Sequence, residues 1–140
     1  MGNRAVITTA PFKASNVGIY VHWNGGRASI DGFLQACKAL GYRSPQFDPT
    51  YGMAQLTRVI ATFFGDGLSV GIGRCSQLDC INHDNGVYLI GGDWEIVGRK
   101  YNEGTEEVNE EKTEKIRAAI VHKISAAVAA DVDAADPAMV

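Results

Sequence analysis

The densest chemistry in the 140-residue chain lies between Cys75 and Gly86. Cys75, Cys80 and His83 place two thiols and an imidazole in a C-x4-C-x2-H spacing. Zinc is held by four such ligands in a closed site. No second pair completes the set elsewhere, so Asp79 or Asp84 would have to supply the fourth ligand. Asp79, Asn82, Asp84 and Asn85 offer oxygen ligands suited to calcium or magnesium, but not at EF-hand spacing and without its terminal Glu. Asn85-Gly86 reads as turn chemistry. The expectation is a polar loop with two thiols and a solvated histidine, holding no metal or other cofactor.

Trp23, Asn24, Gly25, Gly26 and Arg27 precede a helix start. Amides at a helix N-terminus attract anions, Arg27 could grip a phosphate, and Trp23 could stack on a base. A nucleotide-sequestering module would use these five residues. The P-loop spacing is absent, and so is G-x-G-x-x-G after a strand. Permissive turns are therefore the favoured reading here and at Gly71-Ile72-Gly73-Arg74. His22 shares a strand face with Tyr20 and would be a general base only with an acid beside it. No G-x-S-x-G elbow supplies a nucleophile. An enzyme is not expected, and the Cys75–Gly86 loop is the sole place a metal-dependent one could be built. Trp23 and Trp94 lie on predicted strands and could stack a base or ligand, but core packing at strand ends is the favoured reading for both.

Glu103–Glu114 holds six glutamates. Glu111 can pair with Lys115, but Glu106/Glu110, Glu107/Glu111 and Glu110/Glu114 are like-charged at i,i+4. Such a face is solvated, or else it meets a basic partner. Glu106, Glu107, Glu110, Glu111 and Glu114 are the partner-binding candidates.

The elements that must position these groups follow from periodicity. Residues 5–9 read as a strand, and Val17–Trp23 alternates as a second. Ser29 is a plausible cap for a helix carrying Ile30, Phe33, Leu34, Cys37 and Leu40 and stopped by Gly41. Asp48-Pro49 opens a second helix with Met53, Leu56, Val59, Ile60, Phe63 and Phe64 on its apolar side, closed by Gly65. Three strands follow, over Leu68–Gly73, Val87–Ile90 and Trp94–Tyr101, the last two joined as a hairpin through Gly91-Gly92-Asp93. From Thr105, taken as the cap, a long helix carries Val108, Ile116, Ile120, Ile124 and Val128. The order ββ-αα-βββ-α predicts an α+β fold: an antiparallel sheet of about five strands, helices packed on one face, and a long C-terminal helix. The units are a core domain over 1–102, the helix over 103–130, and a frayed tail over 131–140.

Composition is that of one ordinary domain, with 46% hydrophobic and 21% charged residues and three cysteines. The odd cysteine count fits a reducing compartment. The first residues form no signal-peptide core and no run spans a bilayer, so a cytoplasmic protein without membrane association is expected. The net charge of −3 divides unevenly. Residues 1–102 hold 9 basic and 7 acidic side chains; residues 103–140 hold 4 and 9. Direct nucleic-acid binding through bulk basicity is not expected.

Gly2–Thr8 (GNRAVIT), Gly18–Gly26 (GIYVHWNGG), Gly41–Pro45 (GYRSP), Asn85–Tyr88 (NGVY) and Trp94–Arg99 (WEIVGR) together resemble a small protein family of bacteriophages and prophages. The resemblance covers about residues 2–101 and leaves out the terminal helix and tail. It brings no catalytic residues. It implies a non-enzymatic accessory protein acting in the bacterial host cell. Such a protein would inhibit a host defence complex, as anti-CRISPR proteins do, by binding a protein or nucleoprotein effector such as a CRISPR complex. Apolar positions on the terminal helix could also form a homodimer seam.

Overall fold

A computed structural model describes residues 2–65, 69–102 and 108–134, the last four of these as backbone only. Strands β1 (Ala5–Thr9) and β2 (Val17–Val21) lead into helices α1 (Arg27–Ala39) and α2 (Pro49–Phe64). Strand β3 (Val70–Arg74) and a short 3-10 turn over Cys75–Gln77 follow, then β4 (Val87–Ile90), β5 (Ile96–Lys100) and helix α3 (Glu110–Ala134).

The five strands form one sheet in the order β3-β2-β1-β4-β5. The fold is α+β as expected, but the sheet is mixed rather than antiparallel. β1 pairs parallel with β4, Val6 opposite Val87 and Thr9 opposite Ile90, while the other three pairings are antiparallel. The reason is the link from β3 to β4. It crosses the sheet instead of turning back on itself, so β4 docks beside β1 and runs with it.

Side-chain alternation divides the sheet into two faces. Ala5, Ile7, Ile19, Val21, Tyr88 and Ile90 form a single buried cluster with Phe33, Leu56, Ile60, Ile116 and Ile120 of the three helices. On the other face Val6 and Val87 pack with Cys75 and Cys80, flanked by Phe12, Tyr20, Leu78 and Leu89. The crossing segment 75–86 thus covers the face that the helices leave open.

Local signals explain most helix ends. At the end of α1, Gly41 has φ 74°. Its N–H donates to the Lys38 carbonyl, and the Tyr42 N–H donates to Cys37. This pair of bonds satisfies carbonyls the helix leaves unpaired. Asp48 caps α2 by accepting from the Tyr51 N–H at 3.2 Å, and Gly65 closes it at φ 83°. The α1 start differs from expectation. Gly26 occupies the cap position and Ser29 lies buried inside the first turn, its hydroxyl accepting from the Asn24 side chain.

The terminal helix also starts later than its charge pattern suggests. Helix α3 begins at Glu110, with the Asn109 side chain accepting from the Lys112 N–H. Val108 lies before the helix and is exposed, and Val128 is 45% exposed. Thr113, Ile116, Ile120 and Ile124 make the buried stripe. Thr113 donates to the Ala28 carbonyl, and Ile116 lies so close to α1 that a Cβ on Gly32 would sit 2.6 Å from it. The helix is thus packed on the core along its first four turns. Thr105, Glu106, Glu107, Leu68 and the end of the tail lie outside the described residues.

Candidate functional site on the crossed face of the sheet

The first four residues described run along the end of β2. The Asn3 N–H donates to the His22 carbonyl, and the Gly25 N–H donates to the Asn3 carbonyl. A Cβ on Gly25 would lie 2.5 Å from that carbonyl oxygen. Gly25 is therefore glycine because a backbone passes over it, not because it needs a left-handed turn; Asn24 takes that conformation, at φ 58°.

This path delivers Arg4 to the crossing segment. Its guanidinium contacts the Asp84 carboxylate at 2.7 Å and Asp79 at 3.6 Å, and its N–H donates to the same Asp84 oxygen. The Arg4 side chain holds the Asp84 carboxyl below its ordinary range, and Asp84 in turn raises the Arg4 guanidinium. Asn85 donates from its side chain to the Asn3 side chain at 2.6 Å and to the Arg4 carbonyl at 3.0 Å. Asn82 is fully buried and organises the loop from within. Its carbonyl oxygen accepts from the N–H groups of Asp84, Asn85 and Gly86, and its amide donates to the Asp79 and Gly86 carbonyls. An amide used this fully has no lone pair left to offer a cation.

Next to Arg4, the Tyr20 hydroxyl and His22 Nδ1 are 2.9 Å apart. Burial raises the phenol, and the direction of the Tyr20–His22 hydrogen bond follows the imidazole tautomer. His22 Nε2 lies close to Gly2, where a Cβ would come within 2.9 Å of it. An acid does stand near His22, namely Asp84, but Arg4 holds it. The arrangement therefore has a histidine whose Nδ1 is bonded to Tyr20 and a carboxylate bonded to Arg4.

The cysteines are not loop thiols facing solvent. Cys75 and Cys80 are buried against the sheet, and the Cys80 thiol donates to the Cys75 carbonyl at 3.3 Å. Burial, with Cys75 as its neighbour, pushes the Cys80 thiol up to about 11. Both thiols line a shallow cavity of about 310 Å³ with Phe12, Leu78, Ile81 and Tyr101. His83 is exposed at φ 62°. Among the described residues no three His, Cys, Asp or Glu side chains come together as metal ligands. Cys37 is buried as expected, its thiol raised by desolvation.

The anion-binding candidates separate. Arg27 reaches along α1 to Asp31 at 3.5 Å, away from the amides at the helix start. With Asp31, Lys38, Asp93, Trp94 and Arg117 it lines an open pocket of about 530 Å³ between α1, α3 and the β4–β5 connection. Trp23 departs from the core position expected of it: it lies just beyond the end of β2, is 48% exposed and meets His22 edge to face. Trp94 is buried, as expected for the core, and its indole N–H donates to the Tyr42 carbonyl. Of the acidic candidates within the described residues, Glu111 pairs with Lys115, Glu114 pairs with Arg117, and Glu110 is exposed in the first turn of α3. Over Glu110–Ala134 the helix carries five acids against four bases, so most of the negative excess lies outside it.

Sequence reasoning did not single out Arg43, Phe47 and Tyr51. Phe47 is 79% exposed and Tyr51 60%. The Arg43 guanidinium lies 5.5 Å from the Tyr51 ring centroid and pairs with Asp48 at 3.0 Å. The loop beneath them is pinned. Ser44 is buried and donates to the Gly91 carbonyl, the Phe47 N–H donates to Ser44, and the Phe47 ring closes over Gly92. The only local signal was two aromatics flanking the Asp48-Pro49 cap, where the hydrophobic stripe of α2 does not reach.

No family model matches the chain, and neither does any curated protein or solved structure. Among the described residues, no helix is long and apolar enough to cross a membrane.

Proposed function

We propose that the chain is a non-catalytic binding protein that inhibits a host defence complex by contact with a protein effector, as its resemblance to phage and prophage accessory proteins implies. The observation that carries this reading is the exposure of Phe47, Tyr51 and Arg43 on a loop and helix start held by hydrogen bonds. Aromatic side chains and arginine dominate the energetics of protein interfaces, and a held loop loses little entropy on docking. The hydrogen bonds of His22 Nδ1, Asp84 and Asn82 support the same reading, because they tie these groups into the protein's own structure.

The experiment is relief of phage restriction in a defence-positive host expressing the chain. Wild type should relieve restriction and co-purify with the effector. Phe47→Ala with Tyr51→Ala should lower affinity on the order of 30-fold, equivalent to about 2 kcal/mol, while the protein stays folded. Relief that survives the double substitution would remove this patch from the mechanism. No relief by wild type would remove the proposal. Charge reversal at Glu106, Glu107, Glu110 and Glu111 measures in the same assay whether the acidic segment contributes.

A further inference from the structure

The two edges of the sheet are finished differently. Edge strands expose unpaired N–H and C=O groups, and proteins commonly blunt them with charge, proline or a bulge. Strand β5 is blunted in this way. Its pairing with β4 is interrupted by a register shift at Leu89/Ile90, and it ends in Arg99 and Lys100. Strand β3 has neither device over Val70–Gly73. It pairs with β2 in unbroken register over five residues, contains no proline and carries one charge, at its end, Arg74.

Which backbone groups of β3 face outward follows from the ladder. The His22 N–H donates to the Ser69 carbonyl, and the Cys75 N–H donates to the Asn16 carbonyl. In an antiparallel pair such hydrogen-bonded positions alternate with non-bonded ones. Gly71 and Gly73 therefore point their backbone groups at β2, and Val70, Ile72 and Arg74 point theirs away from the sheet. The side chain at the middle of this edge, Ile72, is 56% exposed although it is paired with the fully buried Ile19. On the opposite face Gly71 is open, with nothing within 4 Å of the Cβ position.

We infer that β3 is a self-pairing edge at which two copies of this chain join into one continuous ten-stranded sheet. The segment is symmetric about Ile72, as Gly71-Ile72-Gly73 reads the same in both directions. A two-fold axis through Ile72 sets β3 antiparallel to its copy, with Ile72 opposite Ile72 and Val70 opposite Arg74. That register places every outward backbone group of the three residues against an outward group of the other copy. The two Ile72 side chains then meet on the helix-covered face as a cross-strand pair, and the bare glycine face brings no clash. A closed two-fold contact of this kind consumes both edges and leaves nothing to propagate.

The test is sedimentation of the full chain across a concentration series, with Ile72→Lys beside wild type. Ile72 is exposed, so the variant should melt like wild type, whereas two lysines directly opposite one another repel. Wild type should form a dimer, and the variant should raise the dissociation constant by more than about tenfold. Amide exchange gives an independent readout. Gly71 and Gly73 should be protected at all concentrations, and Ile72 should gain protection only as the dimer forms. A wild-type chain that stays monomeric at high concentration overturns the inference. So does a dimer that Ile72→Lys leaves intact, which would place the seam elsewhere, for instance on α3.

Discussion

Asp84 is the residue through which the first and fourth strands are tied outside the core. Its folded carboxyl lies below the ordinary value because Arg4 donates to it from both side chain and backbone. A depressed carboxylate contributes stability above its unfolded pKa and loses it as pH falls through the folded value. Wild type should therefore weaken in acid more steeply than Asp84→Asn, and the two melting curves should converge as pH falls through the lowered folded value. Thermal melts from pH 7 to pH 2 measure this; parallel curves would show that the pair adds nothing. At this scale the sequence was only partly informative. It singled out His22 and stated that an acid beside it was required, but Arg4 and Asp84 are 80 positions apart and no local pattern joins them. Asn82 was visible as an oxygen ligand, whereas its burial, and hence its role as the loop's internal support, depended on the sheet beneath.

At the scale of elements, periodicity located the strands and helices well wherever an apolar stripe faced one neighbour. The second helix was legible down to its Asp48 cap and Gly65 stop. Errors arose where the signal was generic. Ser29 resembled a cap by type, yet the chain entered the helix at Gly26 because Asn3 passes over Gly25. The stripe of α3 extended in sequence from Val108 to Val128, but only its middle finds a surface to bury against. Ile120→Ala should cost about 2–5 kcal/mol, as expected for a fully buried isoleucine, while Val128→Ala should change stability by less than about 0.5 kcal/mol. Chemical denaturation of the two variants separates these outcomes. Equal losses would mean that the helix packs along a longer stripe.

For the whole molecule, the sheet order was the least legible feature. Composition and alternation specified five strands and a helix layer. They could not specify that 75–86 crosses the sheet, because that depends on Cys75, Leu78 and Cys80 packing on Val6 and Val87 rather than on any turn signal. The resulting order puts β1 in the centre and β3 and β5 at the rims. Amide exchange should follow that geometry. Val6, Ile7 and Thr8 should exchange most slowly, near the limit set by global unfolding, and β5 should open first. Uniform protection across the sheet would contradict it. Residues distant in sequence also come together in space. Arg4, His22, Gly25, Asn85, Tyr88 and Arg99 meet at one end of the sheet through the Tyr88 hydroxyl on Gly25 and the Arg99 side chain on Asn85, whereas Ser44 and Trp94 fasten the opposite end.

The parallel pairing of β1 with β4 also bears on how the chain matures during translation. Val6 leaves the ribosome 81 residues before its partner Val87. At ordinary synthesis rates the most central strand waits roughly 4–16 s with one flank unpaired. Strand β2 and the helices α1 and α2 emerge in that interval and can cover its other flank and one face. The nascent protein therefore carries an open strand edge until most of the described chain has emerged, and its yield in a cell should respond to chaperone supply more than its final stability would suggest.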